Sequence, residues 1–436
     1  MLISELLPSP SVKKAVIVGV LLPGKSEEIL RADLEELEAL LCTLEIPVSQ
    51  RIIQRRVKLS PRCLVGSGKV DEIRALCENT RSEVVVFDHP LTPPQIRNLE
   101  EMTGKTVIDR TGVILEIFSR HARTNQAKTQ VEIAKLEYML PRLTGAWTHL
   151  SRQTGGGVNA RGMGETQIEI DRRRARERIA RLQSKLKHFE TERMTQRRAR
   201  QSELKVALVG YTNSGKTTVM KGLTRSIVKP EDKLFATLDA NIKKIDPTSK
   251  PRILISDTVG FIRNLPHGLI ESFKSTLDEV KEADVLIHVV DASQENFADQ
   301  MDITKHVLED IGAQHIPVIT VFNKADLVED SVFLRVLKKT YPGSLVVAAE
   351  SKDGIEAIRQ AVQRFFEEKF VTFFVAVKNS DSTVLSDIYN SCRIVETDYS
   401  QHGKVIFELQ STPEVRARFM PLTIDKPVFE KLVIND

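Results

Sequence analysis

The sequence is short of cysteine, of long apolar runs and of net charge. Its 436 residues hold four cysteines, Cys42, Cys63, Cys77 and Cys392, far apart along the chain. No pair has the spacing of a metal site or a redox motif, so reduced thiols in a cytosolic protein are expected. No apolar stretch reaches the length of a bilayer span, and no stable membrane insertion is expected. The apolar stretch 15–23 is interrupted by Gly19 and lacks a basic lead, so a strand is expected there, not a signal peptide. Terminal lipidation motifs, internal repeats and low-complexity tracts are missing too. Lys plus Arg total 63 against 59 for Asp plus Glu, a formal charge of +4. So even a balance says little by itself; the placement of charge along the chain matters more. A disulfide-stapled secreted module, a spanning protein and a repeat array are thereby excluded, and a cytoplasmic location is expected.

The length predicts several domains. Residues 1–120 alternate apolar runs such as "KAVIVGVLL" and "SEVVVFDHPL" with helical stripes such as "SEEILRADLEELEALLCTL". That alternation predicts a small α/β domain with a parallel sheet. Residues 121–200 read as a helical hairpin, because Ile133, Leu136, Leu140 and Leu143 form one stripe and Ile179, Leu182, Leu186 and Phe189 another. Residues 201–368 alternate strands and helices again. Residues 369–436 read as β-α-β, a small C-terminal α+β domain.

Between the hairpin stripes lies "TGGGVNARGMGETQIEIDRRRARER". A loop is expected through Gly155, Gly156, Gly157, Gly162 and Gly164, letting backbone approach a crowded surface. Trp147, Arg152 and Arg161 are candidates to stack on unpaired bases, although Trp147 reads equally well as a core residue. The stem that follows carries Arg172, Arg173, Arg174 and Arg176 and further cations as far as Arg200. Such a one-signed stem attracts polyanions, of which RNA is the abundant cytosolic example; the plainer reading is a solvated helix face.

The most specific pattern is "VGYTNSGKTT". A strand leads into Gly210, Tyr211, Thr212, Asn213, Ser214, Gly215, Lys216, Thr217 and Thr218, and a helix follows. Backbone N–H groups of such a loop cradle phosphates, with Lys216 against the β- and γ-phosphates and the Thr217 hydroxyl on Mg2+. Asp257, Thr258, Val259 and Gly260 ("DTVG") end an apolar strand, where an aspartate backing the metal belongs. "FATLD" (Phe235, Ala236, Thr237, Leu238, Asp239) offers Thr237 as a switch residue that meets metal and γ-phosphate only in the triphosphate state. "NKAD" (Asn323, Lys324, Ala325, Asp326) ends another strand. The Asp326 carboxylate can accept from guanine N1–H and the exocyclic amine, while Asn323 and Lys324 enclose the base. The order of these elements predicts a P-loop GTPase.

"GYTNSGKTT", "FATLD", "DTVGFIRNLPH" and "NKAD", with "VGSGKVDEI", "FDHPLTPPQIRNLE", "DRTGVILEIF" and "RGMGETQIEIDRRR" upstream, resemble the HflX family of translation-factor-class GTPases from about residue 15 to 370. The resemblance implies an N-terminal α/β domain, a helical hairpin and a GTPase domain. It also implies binding to the large ribosomal subunit and its rRNA in the GTP state, ribosome splitting, and hydrolysis stimulated by that subunit. The hairpin tip would reach toward the peptidyl-transferase region, and the switch would couple to the hairpin through the linker near 200–204. A monomer is expected.

Two departures stand out. The last guanine motif has Ala348 and Ala349 where serine and alanine are usual; Ala349 is expected to offer its N–H to guanine O6. The position after Gly260 is Phe261, which cannot orient water as a glutamine would, so slow intrinsic hydrolysis is expected. Lys216, Thr237 and Asn213 are the catalytic candidates, with Thr217, Thr237 and Asp257 as the metal set. Asn213 either holds K+ beside the phosphates or only shapes the loop. "VGSGKVDEI" (65–73) lacks full phosphate-loop spacing and reads as a strand-to-helix turn, with a second nucleotide site as the minor alternative. Two rival functions share these motifs: a GTP-timed RNA chaperone for ribosome assembly and a membrane-linked signalling GTPase.

Overall fold

The computed structural model describes residues 14–142, 160–198, 203–224, 234–235, 241–245, 251–263, 274–401 and 404–425. Packing divides the chain into two compact units. One comprises Met1–Glu192 with Glu231–Asp239 and Ile262–Thr276; the other comprises Arg193–Pro230, Ala240–Phe261 and Leu277–Asp436. Among the described residues no helix is long and apolar enough to cross a membrane.

The first unit is built on a parallel sheet, β1 (Lys14–Leu21), β2 (Val48–Arg55), β3 (Ser82–Phe87) and β4 (Thr106–Asp109), in the order β2-β1-β3-β4. Near-continuous valine and isoleucine make β1 and β3 suitable for burial on both faces. Val16, Val18, Val85 and Phe87 are at most 1% exposed. β2, "VSQRIIQR", is half exposed and polar in alternation, as befits an edge strand. Helix Glu27–Thr43 turns Leu30, Leu34, Leu37 and Leu41 inward. Helix Pro93–Thr103 begins with a capping box between Thr92 and Gln95 and stops at Gly104, φ 67°. The 65–73 segment follows an isolated bridge between Ser60 and Leu64, not a strand, and enters helix Ser67–Thr80 at Gly66.

Asp109 joins this sheet to the hairpin. It caps helix Arg110–His121 through Gly112 N–H and accepts from Leu91 N–H, Tyr138 Oη at 2.7 Å and an Arg142 guanidinium nitrogen at 3.2 Å. Helix Asn125–Met139 and helix Ala160–Arg198 then pack through Ile133, Leu136 and Leu182, with Ile179 and Leu186 at the margin. The expected glycine loop is shorter than the sequence suggests. Gly162, Gly164 and Arg161 lie within the 39-residue helix. Glycine costs about 1 kcal/mol in a helix interior, and the good helix formers on either side offset that. Trp147 and Arg152, like Gly155–Gly157, lie outside the described residues.

The second unit carries a six-stranded sheet of β5 (Leu204–Val209), β6 (Asn241–Lys244), β7 (Ile253–Asp257), β8 (Val285–Asp291), β9 (Val318–Asn323) and β10 (Leu345–Val346). Its order is β10-β9-β8-β5-β7-β6; all pairs are parallel except β6 with β7. Helices Lys216–Thr224 and Lys352–Glu367 cover one face, burying Val219, Leu223, Ile358 and Val362. A four-stranded antiparallel sheet of β11 (Val371–Lys378), β12 (Arg393–Gln401), β13 (Lys404–Ser411) and β14 (Thr423–Ile424) follows. The expected β-α-β is thus extended to β-α-β-β-α-β, because β12 is polar and bulged and gives no clean alternation.

Candidate nucleotide site

β5 ends at Val209, and the chain turns through Gly210 at φ 147° and Gly215 at φ 96° into helix Lys216–Thr224. Sterics impose both glycines. A Cβ at Gly210 would lie 2.2 Å from Val289 O, and one at Gly215 would lie 2.1 Å from Asn323 Nδ2. Asn213, exposed at the loop apex, is left-handed at φ 60°, which asparagine tolerates. Thr212 Oγ1 and Ser214 Oγ are buried hydroxyls with no hydrogen-bond partner among the described residues. Orphaned hydroxyls in a loop of inward N–H groups suit an anion.

Lys216 is 7% exposed and donates from Nζ to Gly210 O at 3.0 Å and Tyr211 O at 2.6 Å. Burial pushes its ammonium down to about 8, against the opposing pull of Asp257. His288, also buried, is pushed to about 4 by burial and by Lys216, so it is neutral at physiological pH. The Thr217 hydroxyl donates to Asp257 Oδ2 at 3.0 Å. A hydroxyl beside one carboxylate gives hard oxygen donors, and no group of three or more His, Cys, Asp or Glu that could hold a metal occurs among the described residues. That set fits Mg2+, which keeps much of its shell for phosphate oxygens and water.

The "DTVG" residues after β7 serve different ends. The Thr258 hydroxyl donates to Leu208 O at 2.6 Å and Val259 is buried, so neither side chain is turned to a ligand. Gly260 sits where a Cβ would come within 2.9 Å of Thr212 Cα. Phe261 donates from N to Gly210 O at 3.1 Å and accepts from Thr212 N–H at 2.8 Å. Its ring is 2% exposed, so this residue clamps the phosphate loop.

On the guanine side, Asn323 is 2% exposed, donates from Nδ2 to Ser214 O at 2.9 Å and accepts from Ala349 N–H at 2.8 Å. The Ala349 N–H expected on guanine O6 is therefore committed to Asn323. Lys324, at φ 59°, pairs with Asp291 at 2.7 Å. Asp326 is exposed beside half-buried Ala325, and Ala348 is half-buried; Thr218 is half-buried on the first turn of its helix. Sequence reasoning missed Asp291 and His288; the signal for Asp291 was its place at the end of the apolar run "VLIHVVD", in register with Asn323.

The switch segment also departs from expectation. Ala236, Thr237, Leu238 and Asp239 lie outside the described residues. Phe235, expected at the nucleotide, is 3% exposed and belongs to the first unit. Its ring meets Phe118 edge-on with centroids 4.8 Å apart, and the adjacent Leu234 N–H donates to Thr43 Oγ1 at 3.3 Å. A large apolar ring gains more from that packing than from a solvated phosphate pocket. Arg263, three residues past Gly260, pairs in the same unit with buried Asp33 at 3.2 Å. On the hairpin, Arg172 is half-buried while Arg173, Arg174 and Arg176 are exposed.

Comparison with known proteins agrees with this geometry. Three family models match consecutive segments: "GTP-binding GTPase N-terminal" over residues 31–119, "GTP-binding GTPase Middle Region" over 121–200 and "50S ribosome-binding GTPase" over 205–324. GTPase HflX of Gluconacetobacter diazotrophicus is 38% identical over 91% of this chain and 95% of its own. GTPase HflX of Flavobacterium psychrophilum is 42% identical over 83% and 92%, and that of Escherichia coli 38% over 87% and 89%. A GTP-binding protein of Sulfolobus solfataricus, crystallised with GDP, is 23% identical with a TM-score of 0.43 over 81% of this chain and 98% of that one. Identity of this level over nearly the whole length places the chain in the HflX family of GTPases and makes it a GTP-hydrolysing enzyme.

Proposed function

We propose that this GTPase binds the large ribosomal subunit in its GTP state and helps split or rescue ribosomes. The observation that carries the reading is the hairpin's second helix. Arg173 and Arg174 meet their helix neighbours Glu177 and Asp171 only at 3.9 and 3.8 Å, too far for tight pairing, and Arg176 is exposed beside them. Weakly neutralised guanidinium groups in a row suit the closely spaced phosphates of RNA. The description of the model matching 205–324 as a "50S ribosome-binding GTPase" points to the same partner.

In the site, Lys216 and the loop N–H groups bind the triphosphate, and Asp326 selects guanine. Mg2+, held by Thr217 and Thr237 with Asp257 behind them, would offset the charge developing on the phosphates. Phe261 has no group to orient water and its backbone is tied to the loop, so activation comes from the ribosome, and Asn213 would hold a monovalent cation that adds positive charge beside the phosphates. Loss of the γ-phosphate releases Thr237 and lowers ribosome affinity.

The test is the GTP turnover rate with and without purified large subunits. Wild type should be stimulated strongly. Arg172→Glu, Arg173→Glu and Arg174→Glu combined should abolish the stimulation, with basal turnover as the check on folding. An unstimulated wild type, or a triple variant stimulated as strongly as wild type, refutes the proposal.

A further inference from the structure

The buried carboxylate of Asp291 lies beside the guanine motif, and the mechanism above gives it no part. It closes β8, is 4% exposed and stands in register with Asn323, the residue that closes β9. A buried carboxylate is costly unless its oxygens are bonded, and here both are. Oδ1 accepts from Ser293 N–H at 3.0 Å and from the Ser293 hydroxyl at 2.6 Å, while Oδ2 pairs with Lys324 Nζ at 2.7 Å. With both oxygens committed, whatever Asp291 does for a nucleotide it does through Lys324.

Lys324 is held at both ends. Its backbone is left-handed at φ 59°, a conformation that residues with a Cβ resist. Bonds on either side impose it. Asn323 O accepts from Ala292 N–H at 2.9 Å, Ala325 N–H donates to Val347 O at 3.2 Å, and Lys324 O accepts from Leu327 N–H at 3.0 Å. Asp291 fixes the other end, at Nζ. A lysine stem is otherwise free to take many rotamers, and ordering it during binding costs affinity. Here that ordering is built into the fold. Two residues on, Asp326 is exposed and has no hydrogen bond or ion pair among the described residues. Backbone strain and a committed buried charge beside a free carboxylate suit a wall built in advance of its ligand.

We propose that Asp291 is a positioning residue for guanine. It holds the aliphatic stem of Lys324 as a fixed surface for one face of the base, while Asp326 accepts from the base edge. The assignment rests on the selection of guanine by Asp326 proposed above. The phosphate loop makes its contacts without Asp291, so the residue governs recognition of the base and not of the phosphates.

The test follows release of a fluorescent GDP analogue from the full-length protein, with inorganic tripolyphosphate as a competitor that has no base. Asp291→Asn keeps the shape and an acceptor for Ser293 but turns an amide donor toward Lys324. It should speed release and weaken GDP about fivefold, with tripolyphosphate binding unchanged. Lys324→Met keeps an apolar stem and removes the ammonium; it should have the same effect, and it carries the test alone if Asp291→Asn does not fold. The double variant should be no worse than either single one, because the two residues act as a unit. Equal losses for GDP and tripolyphosphate would mean that Asp291 only stabilises the domain, and they overturn the proposal. So do additive losses in the double variant, or GDP release within about twofold of wild type. Asp326→Asn separates the two readings, since it should shift preference toward xanthosine diphosphate. Without that shift the guanine assignment falls and the proposal with it; with the shift and a silent Asp291→Asn, only the positioning role falls.

Discussion

Replacing Asn323 with alanine separates two meanings of the "NKAD" motif. If the side chain only touched guanine, its loss would weaken recognition of the base and nothing else. In this structure the amide instead braces two loops, bonding Ser214 O at 2.9 Å and Ala349 N–H at 2.8 Å with 2% exposure. Each buried bond is worth about 1 kcal/mol net, and a buried group left without a partner costs about 1–3 kcal/mol. Asn323→Ala orphans one carbonyl and one N–H, and the sum is about 2–6 kcal/mol. If the loops must be re-formed on binding, that converts to a loss of GTP affinity of about 30-fold or more. Competition with a fluorescent guanine nucleotide measures it, and inorganic tripolyphosphate, which has no base, is the decisive competitor. The brace predicts that tripolyphosphate binding weakens along with that of GTP and GDP. Unchanged tripolyphosphate binding, or a loss of GTP affinity below threefold, refutes the reasoning.

Burial of Lys216 gives a pH prediction. Its folded value of about 8 lies below the ordinary 10.5, so the empty pocket disfavours the ammonium, while phosphate favours it. Calorimetry at pH 8 in buffers of different ionisation enthalpy should find uptake of about half a proton per GTP bound, and about a tenth at pH 7; no uptake at pH 8 contradicts the assignment. The same depression destabilises the empty protein below pH 8, and the penalty should fade as pH rises toward 10.5. Asn213, exposed at the loop apex, leads us to expect faster turnover in potassium than in sodium; equal rates in the two salts, with and without large subunits, remove that role.

The phosphate loop was legible in the sequence because backbone sterics leave it no choice. At Gly210 and Gly215 a Cβ would collide with Val289 O and Asn323 Nδ2, so the glycine spacing itself reports the geometry. The parallel sheets were legible for a related reason: strands buried on both faces need continuous Val and Ile. β2 and β12 fill edges, where polar residues are tolerated and periodicity is diluted. The extent of the helix Ala160–Arg198 was hidden because glycine propensity is a weak local term, overridden when neighbouring turns are favourable. The role of Asn323 was hidden because it depends on two carbonyl and amide groups 109 and 26 residues away.

Motif strings also conceal that one segment serves two units. "FATLD" reads as nucleotide-side throughout, yet it has a residue held elsewhere, as does the segment just after "DTVG". Phe235 is locked against Phe118, and Arg263 is tied to Asp33, which also binds Lys25 at 2.5 Å. Thr237 follows Phe235 by two residues, and two extended residues span at most about 7 Å. The chain passes between the two units five times, at 192–193, 230–231, 239–240, 261–262 and 276–277. Phe235 and Arg263 are each at least four-fifths buried.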